Sequence, residues 1–315
     1  GKKGPVPLHA PCFKGRELDY VQDCIHTGWV SSVGEYGSRF ERMLADFTGA
    51  RHAVATVNGT SALHVSLVLA GVKEGDGVLC PAFSFVATVS PVVYCRAVPV
   101  FMDSAPVSLG MDAQKVERFL AGRCTRGRDG YSYEGDTGRR IAACIPMHAY
   151  GHPAGMDDLL AVCREYNVFV IEDAAEALGS WYGDRHCGTL GGLGVFSFNG
   201  NKTITTGGGG MIVAEDETLA ARARHLTTTA KKDHPWSYMH DAIGYNFRMP
   251  NLNAALGCAQ MERLDILLAA KRRQAELLRE RFEDVEGVDP VFPEIGRSNC
   301  WLNLARVHPG DRDEI

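Results

Sequence analysis

The sequence contains ten cysteines in 315 residues, but no two of them are two residues apart. Without Cys-x-x-Cys spacing a zinc ribbon has no ligand set. The scatter of Cys12, Cys24, Cys80, Cys95, Cys124, Cys144, Cys163, Cys187, Cys258 and Cys300, several of them in apolar runs, fits free thiols in a reducing cytoplasm better than a disulfide framework. An excess of positive charge is also missing. The 33 Lys and Arg against 38 Asp and Glu leave a net charge of −5, so nothing draws the chain generally to nucleic acid or to an anionic membrane, and any phosphate recognition must be local. Gly1–Gly15 has lysines and prolines but no apolar h-region, which argues against a signal peptide, and a start at glycine suggests a trimmed chain. The most apolar window, Leu79–Met102, is interrupted by Pro81, Pro91, Arg96 and Pro99, and reads as strand, short helix and strand instead of a membrane span.

Two nucleotide motifs are absent as well. No Gly-x-Gly-x-x-Gly follows the first strand, which weakens a nicotinamide dehydrogenase. A P-loop needs four residues between its first glycine and Gly-Lys, whereas five separate Gly194 from Gly200 and Asn201 splits Gly200 from Lys202. His148 and His152 have the spacing of helical metal ligands, but Gly151 and Pro153 oppose a helix there, and loop or pocket positions suit them better.

What is present is an ordinary globular composition, 45% apolar and 23% charged, sufficient for one large domain and a smaller one. Leu18, Val21 and Ile25 at helical spacing mark a helix over 16–26, and Phe40, Leu44 and Phe47 mark a second one. Strands then alternate with helices, an α/β pattern: 52–57, 97–101, 141–146 and 168–171 read as strands, and 62–70 and 157–166 as helices. Residues 122–139, rich in Gly, Arg and Asp, have no periodicity and read as an exposed excursion. After 252 a helix runs, with a break, to Phe282, and Lys271-Arg272-Arg273 reads as its solvated face.

Three stretches carry chemistry. Asn58-Gly59-Thr60-Ser61, between a strand and a helix, could form an anion cup from the helix N-terminus and two hydroxyls, although the segment taken alone favours a plain Asn or Thr N-cap. Asp173, after the buried run Val168–Ile171, stands where ligands bind in open α/β sheets and could keep a pyridine nitrogen protonated; a helix cap is the alternative. Lys202 lies between the apolar run ending in Phe198 and the glycines Gly207–Gly210, which places its amine at the buried edge of a sheet, where a Schiff-base lysine could work. Taken alone, that stretch favours a lysine paired with a carboxylate.

The order of the three resembles fold-type-I pyridoxal phosphate enzymes, and more narrowly the DegT/DnrJ/EryC1/StrS family of sugar aminotransferases. The matching stretches are Asn58–His64, Pro81–Thr88, Glu172–Ala177, Ser197-Phe198-Asn199 with Lys202, and Gly244–Arg248. The resemblance implies an aspartate-aminotransferase-like fold with a mostly parallel sheet. A large cofactor domain would span 1–250, with a helical segment over 1–48. The linking helix and the start of a small α+β domain would span 251–315, incomplete at Ile315.

It further implies pyridoxal 5'-phosphate, passing through pyridoxamine 5'-phosphate, with Lys202 as attachment point and proton shuttle and Asp173 on the ring nitrogen. Glu176 would face the phenolic oxygen and Phe85 would stack on the ring. Gly59, Thr60, Ser61 and Ser197 would hold the phosphate with Asn246 of a second subunit, making a homodimer. Trp29, Ser31, His148 and Tyr150 are the candidate substrate contacts. Relatives with histidine at the lysine position are dehydratases, so Lys202 favours transamination. The loop Thr27–Ser32 resembles members acting on UDP-linked 4-keto-6-deoxy-2-acetamido sugars, as in legionaminic acid pathways, with glutamate as amino donor. A keto-sugar dehydratase and a non-catalytic nucleotide-sugar binder remain the alternatives.

Overall fold

The computed structural model describes residues 8–292, 294–310 and 312. At its centre is a mixed sheet with the strand order His52–Thr56, Gly210–Ala214, Leu193–Ser197, Phe169–Asp173, Arg140–Cys144, Gly77–Pro81, Val98–Met102. The strands from Leu193–Ser197 to Val98–Met102 are parallel, whereas Gly210–Ala214 runs antiparallel to both neighbours. Parallel strands need crossover helices, and these cover both faces, so the inner strands read as unbroken apolar runs. One face packs against helices Gly59–Leu69 and Glu217–Thr227 through Leu63, Leu67, Ala223 and Leu226. The other packs against Glu35–Thr48 and Asn251–Met261 through Phe40, Leu44 and Cys258, and against Ala113–Arg123 and Met156–Glu165 through Leu120 and Leu159.

Register sets the position of the site. Thr56 pairs with Gly210, which also pairs with Ser197, and Val195 lies beside Asp173. The strand ends that carry the three chemical stretches therefore share one rim of the sheet, the place where open α/β sheets bind ligands.

Three expectations need correction. The helix Glu17–Thr27 forms, but Leu18 and Ile25 are 76% and 62% exposed, while Glu17, Tyr20 and Cys24 face inward. Polar bonds turn it this way: Tyr20 donates to Glu262 at 2.6 Å, and Glu17 accepts from Gln260 at 2.7 Å. Residues 122–139 are not a bare excursion. Cys124–Arg126 and Ser132–Glu134 form a hairpin that pairs through Ser132 with Ile141. Its inward group is the Glu134 carboxylate, held by Arg139 at 3.0 Å, so no apolar period announced it. Lys271 and Arg272 are not solvated; both are half-buried and donate inward to the carbonyls of Trp301 and Gly179.

The long helix breaks, as its pattern suggests, into Asn251–Met261 and Leu264–Phe282. Beyond it, Val288–Val291 and Leu304–Val307 form a separate antiparallel pair. Among the described residues no helix is long and apolar enough to cross a membrane, and the ten cysteines are unpaired.

Candidate active site

A cavity of about 330 Å³ opens on the rim, lined by the Asn58 turn, Phe85 and Thr88, Met147, the Asp173–Glu176 stretch, Ser197, Lys202, Gly208-Gly209 and Trp301. Lys202 follows the strand Leu193–Ser197, which has neighbours on both sides, so the lysine stands above strand ends in the middle of the sheet and not at its edge. Its backbone N–H closes a turn onto the Asn199 carbonyl at 3.0 Å. Its side chain is 13% exposed, and Nζ donates to Glu176 Oε1 at 3.3 Å. The carboxylate partner expected from the stretch alone thus exists, but it lies inside the cavity together with the amine.

The anion cup is the start of helix Gly59–Leu69. Asn58 Oδ1 caps it by accepting the Ser61 N–H at 2.7 Å, while Asn58, Gly59 and Thr60 line the cavity. Ser61 does not line it, so of the four expected phosphate residues of this chain Gly59, Thr60 and Ser197 meet at the cavity and Ser61 serves the helix cap. Gly59 packs on Ser197, where a Cβ would come 3.0 Å from the serine Cβ. The glycine run answers partly to this turn. Gly208 and Gly209 border the cavity, but a Cβ on Gly210 would run into the Asn58 backbone.

Asp173 is 3% exposed and faces the cavity from the strand end. Its Oδ2 accepts from Thr88 Oγ1 at 2.7 Å and its Oδ1 from the Ala175 N–H at 3.1 Å. Glu176 accepts the Tyr150 N–H at 2.7 Å; burial raises its carboxyl above the usual range against the opposing pull of Lys202 and of that N–H. Phe85 is 65% exposed at the cavity mouth.

The substrate candidates fare differently. His148 is fully buried, bonded through Nε2 to Glu172 at 2.9 Å and accepting the Ala154 N–H at Nδ1, so it has no face for a substrate. Tyr150 gives its backbone to Glu176, and its ring stacks on Trp301 at 6.5 Å without lining the cavity. Trp29 and Ser31 are fixed by Asn251, which donates to their carbonyls at 2.7 and 2.6 Å, and lie outside the cavity of their own chain. Asn246 bridges to Thr228 and also lies outside it.

Thr88 and Trp301 line the cavity without having been given a role. Thr88 belongs to a stretch noted in the sequence, but its bond to Asp173 spans 85 residues. Trp301 lies in the C-terminal segment, where no motif points to it. Among the described residues no cluster of three or more His, Cys, Asp or Glu could hold a metal ion.

Residues 11–315 match the DegT/DnrJ/EryC1/StrS aminotransferase family. The chain belongs to that family. It is 38% identical to GDP-perosamine synthase of Caulobacter vibrioides over 98% of this chain and 80% of that one. The aminotransferase TlmJ from Streptoalloteichus hindustanus superposes with a TM-score of 0.89 at 29% identity, over 99% of this chain and 81% of TlmJ. An E. coli GDP-4-keto-6-deoxy-D-mannose-3-dehydratase with bound hydrated PLP shares the fold, with a TM-score of 0.85 at 20% identity, over 98% of this chain and 81% of that one. The protein is a pyridoxal phosphate-dependent enzyme of the sugar aminotransferase family, with the fold-type-I architecture.

The residues on the rim fit the cofactor. A helix N-terminus with Thr60 and Ser197 suits a phosphate, a buried carboxylate suits a ring nitrogen, and an amine stands between them.

Proposed function

We propose that this enzyme moves an amino group from glutamate to C4 of a nucleotide-linked 4-keto-6-deoxy sugar. The observation that carries the reading is the Lys202 amine inside a cavity that also holds Asp173, Glu176 and a helix N-terminus. Pyridoxal phosphate, when bound, supplies a carbonyl for covalent attachment and a ring that accepts electrons from the substrate carbon. Gly59 and Thr60, with Ser197, would hold its phosphate end through the helix N–H groups and hydroxyls. Asp173 would keep the ring nitrogen protonated, with its carboxylate fixed by the Thr88 hydroxyl. Glu176 would serve the phenolic oxygen, and Phe85 would cover the ring. Lys202 would be the attachment point and, when free, the group that carries the proton.

Asn246, outside the cavity of its own chain, completes the phosphate site of a partner subunit in a homodimer. In the same reading residues 1–250 form the cofactor domain and 251–315 the linking helix and the start of the small domain, which the separate strand pair Val288–Val291 and Leu304–Val307 supports. Unpaired thiols support work in the cytoplasm.

The 38% identity to a GDP-perosamine synthase makes a GDP-linked keto-sugar the first substrate to test. The Thr27–Ser32 loop keeps a UDP-linked 2-acetamido-4-keto-2,4,6-trideoxyhexose as the second. Incubation with glutamate and a panel of GDP-, UDP- and dTDP-linked keto-sugars should release 2-oxoglutarate with one nucleotide class. Release with none of them would contradict the reading.

A further inference from the structure

The amine of Lys202 has a second neighbour besides Glu176. The indole of Trp301 lies with its centroid 4.4 Å from Nζ, within the range of a cation–π contact. The ring is 4% exposed and held from several sides. Its Nε1–H donates to the Asn201 carbonyl at 2.7 Å, so it grips the turn that carries the lysine. Its backbone N–H donates to Asn299 Oδ1 at 2.9 Å. Asn299 is itself fully buried and donates to the carbonyls of Glu176 and Leu178 at 2.8 and 2.9 Å. Both groups that flank the amine, the Glu176 segment and the Trp301 ring, are thereby tied to one asparagine.

A brace stands behind the ring. Lys271 donates to the Trp301 carbonyl at 3.1 Å and also reaches His9 Nδ1 at 3.0 Å. Residues 8–12 and Lys271 close a second cavity of about 340 Å³ against the far side of Lys202 and Thr203. The lysine turn is therefore held between the cofactor cavity and an N-terminal strap, with Trp301 as the link between them.

We propose that Trp301 is a positioning residue for Lys202: its ring and the Glu176 carboxylate form a two-sided seat that fixes the free amine in the cavity. The proposal rests on Lys202 being the attachment point, since only then does a free amine recur in each half-reaction. A group that carries a proton between two carbons must be aimed at both, and an amine that swings out of this seat loses its aim.

The test uses the cofactor-free protein and an amine-directed acylating reagent, with labelling of Lys202 read by peptide mass spectrometry relative to surface Lys115. The seat holds the amine back from the reagent, so loss of the ring's attraction raises the rate. Trp301→Leu should label at Lys202 about tenfold faster than wild type, a factor within the cation–π range. Trp301→Phe, which keeps a ring but loses the Nε1–H bond, should stay within about threefold of wild type. Equal rates in the Leu and Phe variants, or no change in either, would overturn the proposal. If Trp301→Leu does not fold, Trp301→Met takes its place under the same criteria. The attachment reading is tested separately in wild-type protein by borohydride trapping of the cofactor, so either idea can fail without the other.

Discussion

Glu172 and Asp173 are adjacent in sequence, and strand alternation sends their side chains to opposite faces of the sheet, which gives two carboxylates different work. Asp173 faces the cavity. Glu172 is fully buried and accepts N–H groups of Gly188, Leu190 and Gly191 at 2.6 to 2.8 Å, together with His148. Burial opposes charge on Glu172, but His148 and the N–H groups of Gly191 and Gly188 hold its carboxyl below the usual value. Because His148 Nδ1 accepts the Ala154 N–H, the imidazole carries its proton on Nε2 and donates it in the bond to Glu172. A carboxyl held below its unfolded value contributes stability that is present above the ordinary carboxylate range and is lost as pH falls through the lowered value. Glu172→Gln should therefore destabilise the fold more at neutral pH than in mild acid, measured by urea unfolding. A gap that is constant or widens as pH falls would contradict a charged Glu172. His148 also shows a limit of the sequence. Its spacing from His152 was readable, but the carboxylate that buries it lies 24 residues away. Lys202, Asp173 and the Asn58 turn were readable because each is local to a strand end. Trp301 was not, since its meaning depends on a contact with Asn201 across 100 residues.

Elements were legible where period and punctuation agree. The strands and the helices Gly59–Leu69 and Met156–Glu165 lie within a few residues of their expected places. The faces were less legible. Apolar spacing located the helix Glu17–Thr27 but assigned its inner side wrongly, because Tyr20, Cys24 and a buried Glu17 make the actual contacts. The hairpin Cys124–Arg126 and Ser132–Glu134 was missed because a carboxylate and arginines stand where apolar residues would have signalled it. Close backbone approach is another property that composition hides. A Cβ on Gly194, in a central strand, would collide with the Gly188 carbonyl, and backbone cannot swing aside as a side chain can. Gly194→Ala should cost about 1–3 kcal/mol, the scale of forced overpacking. The denaturation midpoint should fall accordingly, and an unchanged midpoint would show that the approach is looser than described.

At the scale of the whole molecule, several large apolar side chains stand exposed on the described surface. Leu18, Ile25, Trp236, Tyr238 and Ile243 are each more than half exposed. Together with Asn246 outside its own cavity, they support the homodimer proposed above. If the sites are shared, mixing Lys202→Ala and Asn246→Ala protomers should restore part of the activity that each variant lacks, because one of the two sites in a heterodimer is then intact. Well-formed heterodimers without recovery would contradict a site shared across the dimer. The central claim, that Lys202 holds the cofactor covalently, is tested most directly by its absorbance and trapping. Wild-type protein incubated with pyridoxal phosphate should gain a band near the visible edge that borohydride abolishes, leaving a pyridoxyl label on Lys202, and Lys202→Ala should show neither. A colourless wild-type protein, or a label on another lysine, would contradict the account.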